Sequence, residues 1–101
     1  MEVIGKMGWS CAVEAYQTME KIFAMHNDEG LLVYDGEKYF CEPSNKEYKD
    51  GRIVVSVHKI CGVAFDGKLW GRHVGTFTIK PDGSIAKRAL SKFPFLKALQ
   101  F

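Results

Sequence analysis

The chain has 101 residues, 47% of them apolar and 26% charged, with a formal net charge of +2. This length suits one globular domain, residues 1–101, with a small core, and no run approaches the ~20 apolar residues of a membrane-spanning helix. Cys11, Cys41 and Cys61 are too few and too widely spaced for the disulfide framework of a small secreted domain, so reduced, buried thiols are expected. Residues 1–20 contain no apolar run of secretory-signal length, and the expected location is the cytoplasm.

The small net charge conceals an asymmetry. Residues 1–50 hold five Lys against ten acids, whereas residues 51–101 hold nine Lys or Arg against two acids. A basic second half favours an anionic partner if its cations form a separate patch, and means little if they face the acids of the first half across the fold.

In chain order, Val3 to Met7 reads as a short strand or an N-terminal arm. Ser10 then stands as a cap before Cys11 to Met25, where Ala12, Ala15, Tyr16, Met19, Ile22 and Phe23 recur at helical spacing with polar residues between them. This predicts an amphipathic helix whose apolar stripe faces a core, with Asn27 and Gly30 suited to its exit. Leu31 to Tyr34 and Glu37 to Glu42 flank Asp35-Gly36 as a hairpin, and Pro43 ends the second arm. Ser44 to Lys49 is polar and reads as a loop. Arg52 to Phe65 and Lys68 to Lys80 are the longest β-forming runs and flank Asp66-Gly67. Pro81-Asp82-Gly83 turns the chain into Ser84 to Arg88. In Ala89 to Phe101, Pro94 argues against one long helix and for a short helical or irregular segment.

Asp-Gly thus occurs four times, at residues 35, 50, 66 and 82. Glycine supplies the positive φ of a tight turn without a Cβ clash, so the dipeptides outline an antiparallel meander. The expected fold class is α+β, with one N-terminal amphipathic helix packed on a four- to five-stranded antiparallel sheet.

A two-residue turn at Asp66-Gly67 would pair Phe65 with Lys68 and sort the long hairpin by parity. One face then carries Val54, Ser56, His58, Ile60, Gly62 and Ala64 with Leu69, Gly71, His73, Gly75, Phe77 and Ile79. Its small residues make it the expected seat of the helix. The other face carries Ile53, Val55, Val57, Lys59, Cys61, Val63 and Phe65 with Lys68, Trp70, Arg72, Val74, Thr76, Thr78 and Lys80. A bulge at Gly62 would shift this parity.

The mixed apolar and basic face is the candidate binding surface, with Val55, Val57, Lys59, Phe65, Lys68, Trp70, Arg72 and Val74 as its site residues. Left open, its aliphatics would bind a protein partner or a second copy of the chain. Trp70 among Lys59, Lys68 and Arg72 could alternatively stack bases and meet phosphates in a nucleic acid. In the third reading, the C-terminal Phe93, Phe95, Leu96 and Leu99 fold over this face and hide its apolar part.

Catalytic constellations are weak. His58 and His73 lie diagonally on one face in this register and Cys61 on the other, so the ligands of a metal site do not converge, and a Cys-His nucleophile lacks an orienting third group. Gly62, Gly71 and Gly75 sit within strands and make no phosphate-cradling loop, and Ser10 is in no nucleophile elbow. The acids from Asp28 to Asp50 surround turns and a polar loop, as solvated residues do. The sequence therefore points to a non-catalytic cytoplasmic interaction module, homo-oligomeric, with nucleic-acid binding as the alternative. No cofactor, metal or membrane partner is expected.

Overall fold

A computed structural model describes residues 11–44, 46 and 48–99. The expected arm at Val3 to Met7, the Ser10 cap and the end of the C-terminal segment lie outside the described residues. The elements run α1 (Val13–Ala24), β1 (Leu32–Tyr34), β2 (Glu37–Pro43), β3 (Ile53–Val63), β4 (Leu69–Ile79) and α2 (Lys87–Lys92), followed by a 3-10 helix at Pro94–Ala98. The strands form one antiparallel sheet in the order β1-β2-β3-β4. Among the described residues there is no fifth strand: Ile85 makes only an isolated bridge to Ile79 before the chain turns into α2.

All four Asp-Gly glycines have positive φ, but the turns are of two kinds. At Asp35-Gly36 both residues are left-handed, with φ of 50° and 78°, as a two-residue hairpin loop requires. At the other three, the glycine N–H donates to a carbonyl three residues back: Gly51 to Tyr48, Gly67 to Ala64 and Gly83 to Lys80. The aspartate side chain of each then accepts the N–H two residues on, from Arg52, Lys68 and Ser84. This is a type I turn completed by a left-handed glycine, with the carboxylate fixing the exit.

The distinction changes the register of the long hairpin. Ala64 N–H donates to the Lys68 carbonyl at 2.7 Å, leaving a three-residue loop, and Ile53 pairs with Ile79 and Val55 with Phe77, one residue from the expected register. Two bulges follow. Val74 is the extra residue on β4 between Gly75 and His73, and Cys61 is the extra residue on β3 between Ile60 and Gly62. Each reverses the parity of its own strand, so the faces exchange on β4 beyond Val74 and on β3 beyond Cys61.

On β3 the helix consequently lies on the face opposite the expected one, whereas Phe77 and Ile79 of β4 lie on the helix side as expected. Ile53, Val55 and Val57 of β3, Phe77 and Ile79 of β4, Cys41 of β2 and Leu32 of β1 make one buried cluster with Ala15, Met19 and Ile22 of α1. Phe93, Phe95, Leu96 and Leu99 join the same cluster, so the helix and the C-terminal segment share one side of the sheet. The reading in which this segment covers the aliphatics is the one the fold adopts there. Gly75 is a seat, as expected of a strand glycine, but for the C-terminal segment: a Cβ there would lie 2.9 Å from the Phe93 ring and 2.7 Å from Lys92 Nζ.

Tertiary contacts set the ends of α1. Its N-cap is Ala12, without side-chain capping, and the Ala12 N–H instead donates to the Gly51 carbonyl at 3.0 Å. Thr18, on the polar side of the helical pattern, is buried because its hydroxyl donates to the Gly83 carbonyl at 2.6 Å. At the exit, His26 Nδ1 lies 2.9 Å from the Ile22 carbonyl and Nε2 accepts the Cys41 N–H at 3.1 Å. Strand β1 pairs with β2 only as far as Tyr39, so the imidazole supplies the acceptor that a longer β1 would have offered Cys41.

Candidate binding site

The site residues read from the sequence divide into two groups. Val55 and Val57 have no exposed surface and belong to the core, so they present nothing to a partner. Lys59, Phe65, Lys68, Trp70, Arg72 and Val74 lie farther along the hairpin, where no residue between Val57 and Phe77 is buried. Strands of 11 residues at about 3.3 Å per residue outrun the layer above them, and the molecule measures 42 Å along its longest axis against 27 and 21 Å across.

Pairing places the cations. Lys59 stands opposite Arg72, Gly62 opposite Trp70, and Ala64 closes the loop with Lys68. A Cβ on Gly62 would lie 3.0 Å from Trp70 Nε1, so the missing side chain gives the indole room to lie across the strand. Lys59, Lys68, Trp70 and Arg72 thus follow one another along the side of the hairpin that continues the core face. Val63 and Leu69 pair on the opposite side, 65% and 45% exposed, and Phe65 projects fully from the loop.

Where this surface meets the core there is a cleft of about 460 Å³, lined by Lys59, Arg72 and Val74 together with Tyr34, Tyr39, Phe93 and Phe95. Phe95 packs against Tyr39 at 5.3 Å and Tyr34 at 6.3 Å between ring centroids, which makes an aromatic wall. Lys59 Nζ is 3.5 Å from Glu37, whereas Arg72 has no carboxylate partner among the described residues. Lys92 enters from α2, its ammonium 5.4 Å from the Phe93 ring. The tyrosines and Lys92 escaped the sequence reading, because nothing along the chain brings β1 and α2 to the mouth of the long hairpin.

A larger concavity, about 780 Å³, runs between the outer edge of β4 at Thr76–Thr78 and α2. Arg52, Lys80, Arg88 and Lys92 line it with one acid, Asp50. Arg52 Nε holds that acid at 3.1 Å, so the basic half of the sequence does collect in part on one surface.

The remaining reactive groups are dispersed. Because of the bulge at Val74, His58 and His73 pair directly rather than diagonally, 5.4 Å apart between ring centroids, and Phe40 stacks on His58 at 4.6 Å. This row lies on the sheet face away from α1. Among the described residues, no three His, Cys, Asp or Glu side chains converge as metal ligands. Burial pushes the Cys41 thiol up to about 12 and raises Cys11 as well, which keeps both protonated. Cys61 is exposed, 3.5 Å from the Lys59 carbonyl. No described helix is long and apolar enough to cross a membrane.

Comparison with protein-family models, with curated proteins and with solved structures finds no match to this chain.

Proposed function

We propose that the chain is a small, non-catalytic interaction module of the cytoplasm that binds protein, in the first place a second copy of itself, through the outer half of the β3–β4 hairpin. The observation that carries this reading is the exposure of Val63, Phe65, Leu69 and Trp70 on a projection that no second layer covers among the described residues. Scattered single apolar residues are ordinary on a surface, but Val63 and Leu69 pair on one side of this hairpin next to Phe65 at its tip, with Trp70 on the other side, and protein interfaces cover apolar groups of this kind. Symmetric pairing is the commonest way for a small chain to bury such a patch, and Lys68 and Arg72 would supply the polar rim. Light scattering across a concentration series tests it. A dimer or larger species that dissociates on Phe65→Ser with Leu69→Ser supports the reading; a strict monomer at every concentration overturns it.

A nucleic-acid reading is favoured by one separate feature, the succession of Lys59, Arg72 and Trp70 along one side of the hairpin. Stacking on Trp70 with phosphates on Arg72 and Lys59 would produce affinity for a single-stranded oligonucleotide that falls steeply with salt. Fluorescence anisotropy at two salt concentrations tests it, and no binding at low salt removes it.

A further inference from the structure

We propose that the groove between the outer edge of β4 and α2 binds an extended acidic peptide segment, which adds to the sheet as a fifth strand. Strand β4 is the last of the sheet, so every second residue directs its backbone N–H and C=O away from β3. Among the described residues no backbone group meets this edge from Leu69 to Thr78; the first contact beyond it is the bridge from Ile79 to Ile85. At Thr76–Thr78 itself the edge carries no proline and, among the described residues, no covering strand; the bulge at Val74 and Pro81 flank this stretch. It is instead the floor of a concavity of about 780 Å³ whose far wall is α2.

The charges select the occupant. Arg88 and Lys92 stand one helical turn apart on α2 and both line the groove, and Lys80 lies at its end. Arg88 and Lys92 have no carboxylate partner among the described residues and Lys80 has only the nearby Asp82, while the single acid of the lining, Asp50, is held by Arg52 at 3.1 Å. The groove is therefore complementary to negative charge. An unpaired strand edge presents carbonyl acceptors as well as N–H donors, and a phosphodiester chain, having no donors, leaves those carbonyls unmatched, whereas a peptide strand matches both. The lining also offers a base no exposed aromatic to stack on, since its single aromatic, Phe77, is buried. In a strand alternate side chains point the same way, so the fitting segment carries Asp or Glu at every second position, facing Arg88 and Lys92, with small or β-branched residues between.

Anisotropy with the full chain and a fluorescent peptide of alternating Glu and Thr tests the proposal. Four probes accompany it: the same residues rearranged with the acids in one block, two versions of the alternating peptide N-methylated at every second residue along one edge or the other, and a single-stranded oligonucleotide of equal charge. The alternating peptide is expected to bind saturably, and Arg88→Glu with Lys92→Glu to weaken it by about tenfold or more while circular dichroism stays that of the parent. At least one of the two N-methylated edge patterns is expected to abolish binding, because a methyl group removes the donors that pair with β4. Equal binding by the block peptide, by both N-methylated peptides or by the oligonucleotide overturns strand addition, as does no binding at all. Phe65→Ser with Leu69→Ser leaves peptide binding intact, so failure of this proposal and failure of the self-association reading are told apart.

Discussion

In the inner half of the β3–β4 hairpin, Ile53, Val55 and Val57 face Ile79, Phe77 and Gly75 beneath α1 and the C-terminal segment. In the outer half the same two strands run on with no buried residue from His58 to Thr76. The backbone ladder continues through both, but the side chains change from β-branched aliphatics to glycines, cations and isolated large apolar groups. Hydrogen-bonded pairing therefore extends a sheet beyond its hydrophobic core, while burial fixes the stability and concentrates it in one half. The outer half is released from packing, and Val63, Phe65, Leu69 and Trp70 are exposed there.

The sharpest way to break that contrast is to open the inner half. Phe93→Ala, which takes a ring away from Phe77, Phe95 and the Gly75 seat, is expected to cost about 3–5 kcal/mol in urea denaturation. A change at the edge of the core acts through the backbone: Gly83→Ala meets a φ of +88° and a Cβ position 2.7 Å from the Glu14 carbonyl. It is expected to cost about 1–3 kcal/mol, read as a lowered melting temperature.

Alkaline pH should act on the inner half through Cys41. The Cys41 thiol has its folded-state value raised by burial above the ordinary 9.0, to about 12, so the folded protein keeps this proton longer than the unfolded chain. Its contribution is complete below pH 9 and is lost as the pH rises towards 12, at up to about 1.4 kcal/mol per pH unit. Denaturation series at stepped pH should show a shallower slope for Cys41→Ala than for the parent in that window. In the outer half, Phe65→Ser with Leu69→Ser should shift stability by no more than about 0.5 kcal/mol per site, measured below the concentration of self-association. A loss as large as that of Phe93→Ala would show that the projection is structural.

Local signals were legible wherever a residue's own geometry decides the outcome. Every Asp-Gly is a turn with a left-handed glycine, and α1 and three strands form within the segments that periodicity and β-propensity mark, while β2 runs one residue past Glu42 to Pro43, which pairs with Val55. The faces were not legible to the same degree. A two-residue and a three-residue loop can both be written Asp-Gly, and the Asp66 carboxylate, by accepting the Lys68 N–H, belongs to the longer form. Pro81 marks that form for Asp82-Gly83, but Phe65 gives no such sign at Asp66-Gly67. Lys59, Lys68, Trp70 and Arg72 still share a side, because the bulge at Val74 reverses β4 and compensates the one-residue error beyond it. Val55 and Val57 have no such compensation to expose them. They lie on the strand face that the helix and the C-terminal segment both cover.

By itself the sequence determined that this protein is a helix followed by an antiparallel meander, because turns, periodicity and propensity act over a few residues. Tertiary structure alone decided which face of the sheet is closed, where α1 begins and that Thr18 is buried. It also decided that α2 stands beside the open edge of β4 with Arg88 and Lys92 facing it. The physical reason is that side-chain direction reverses with every residue in a strand, so a single added loop or bulge residue exchanges inside for outside while leaving the local pattern unchanged.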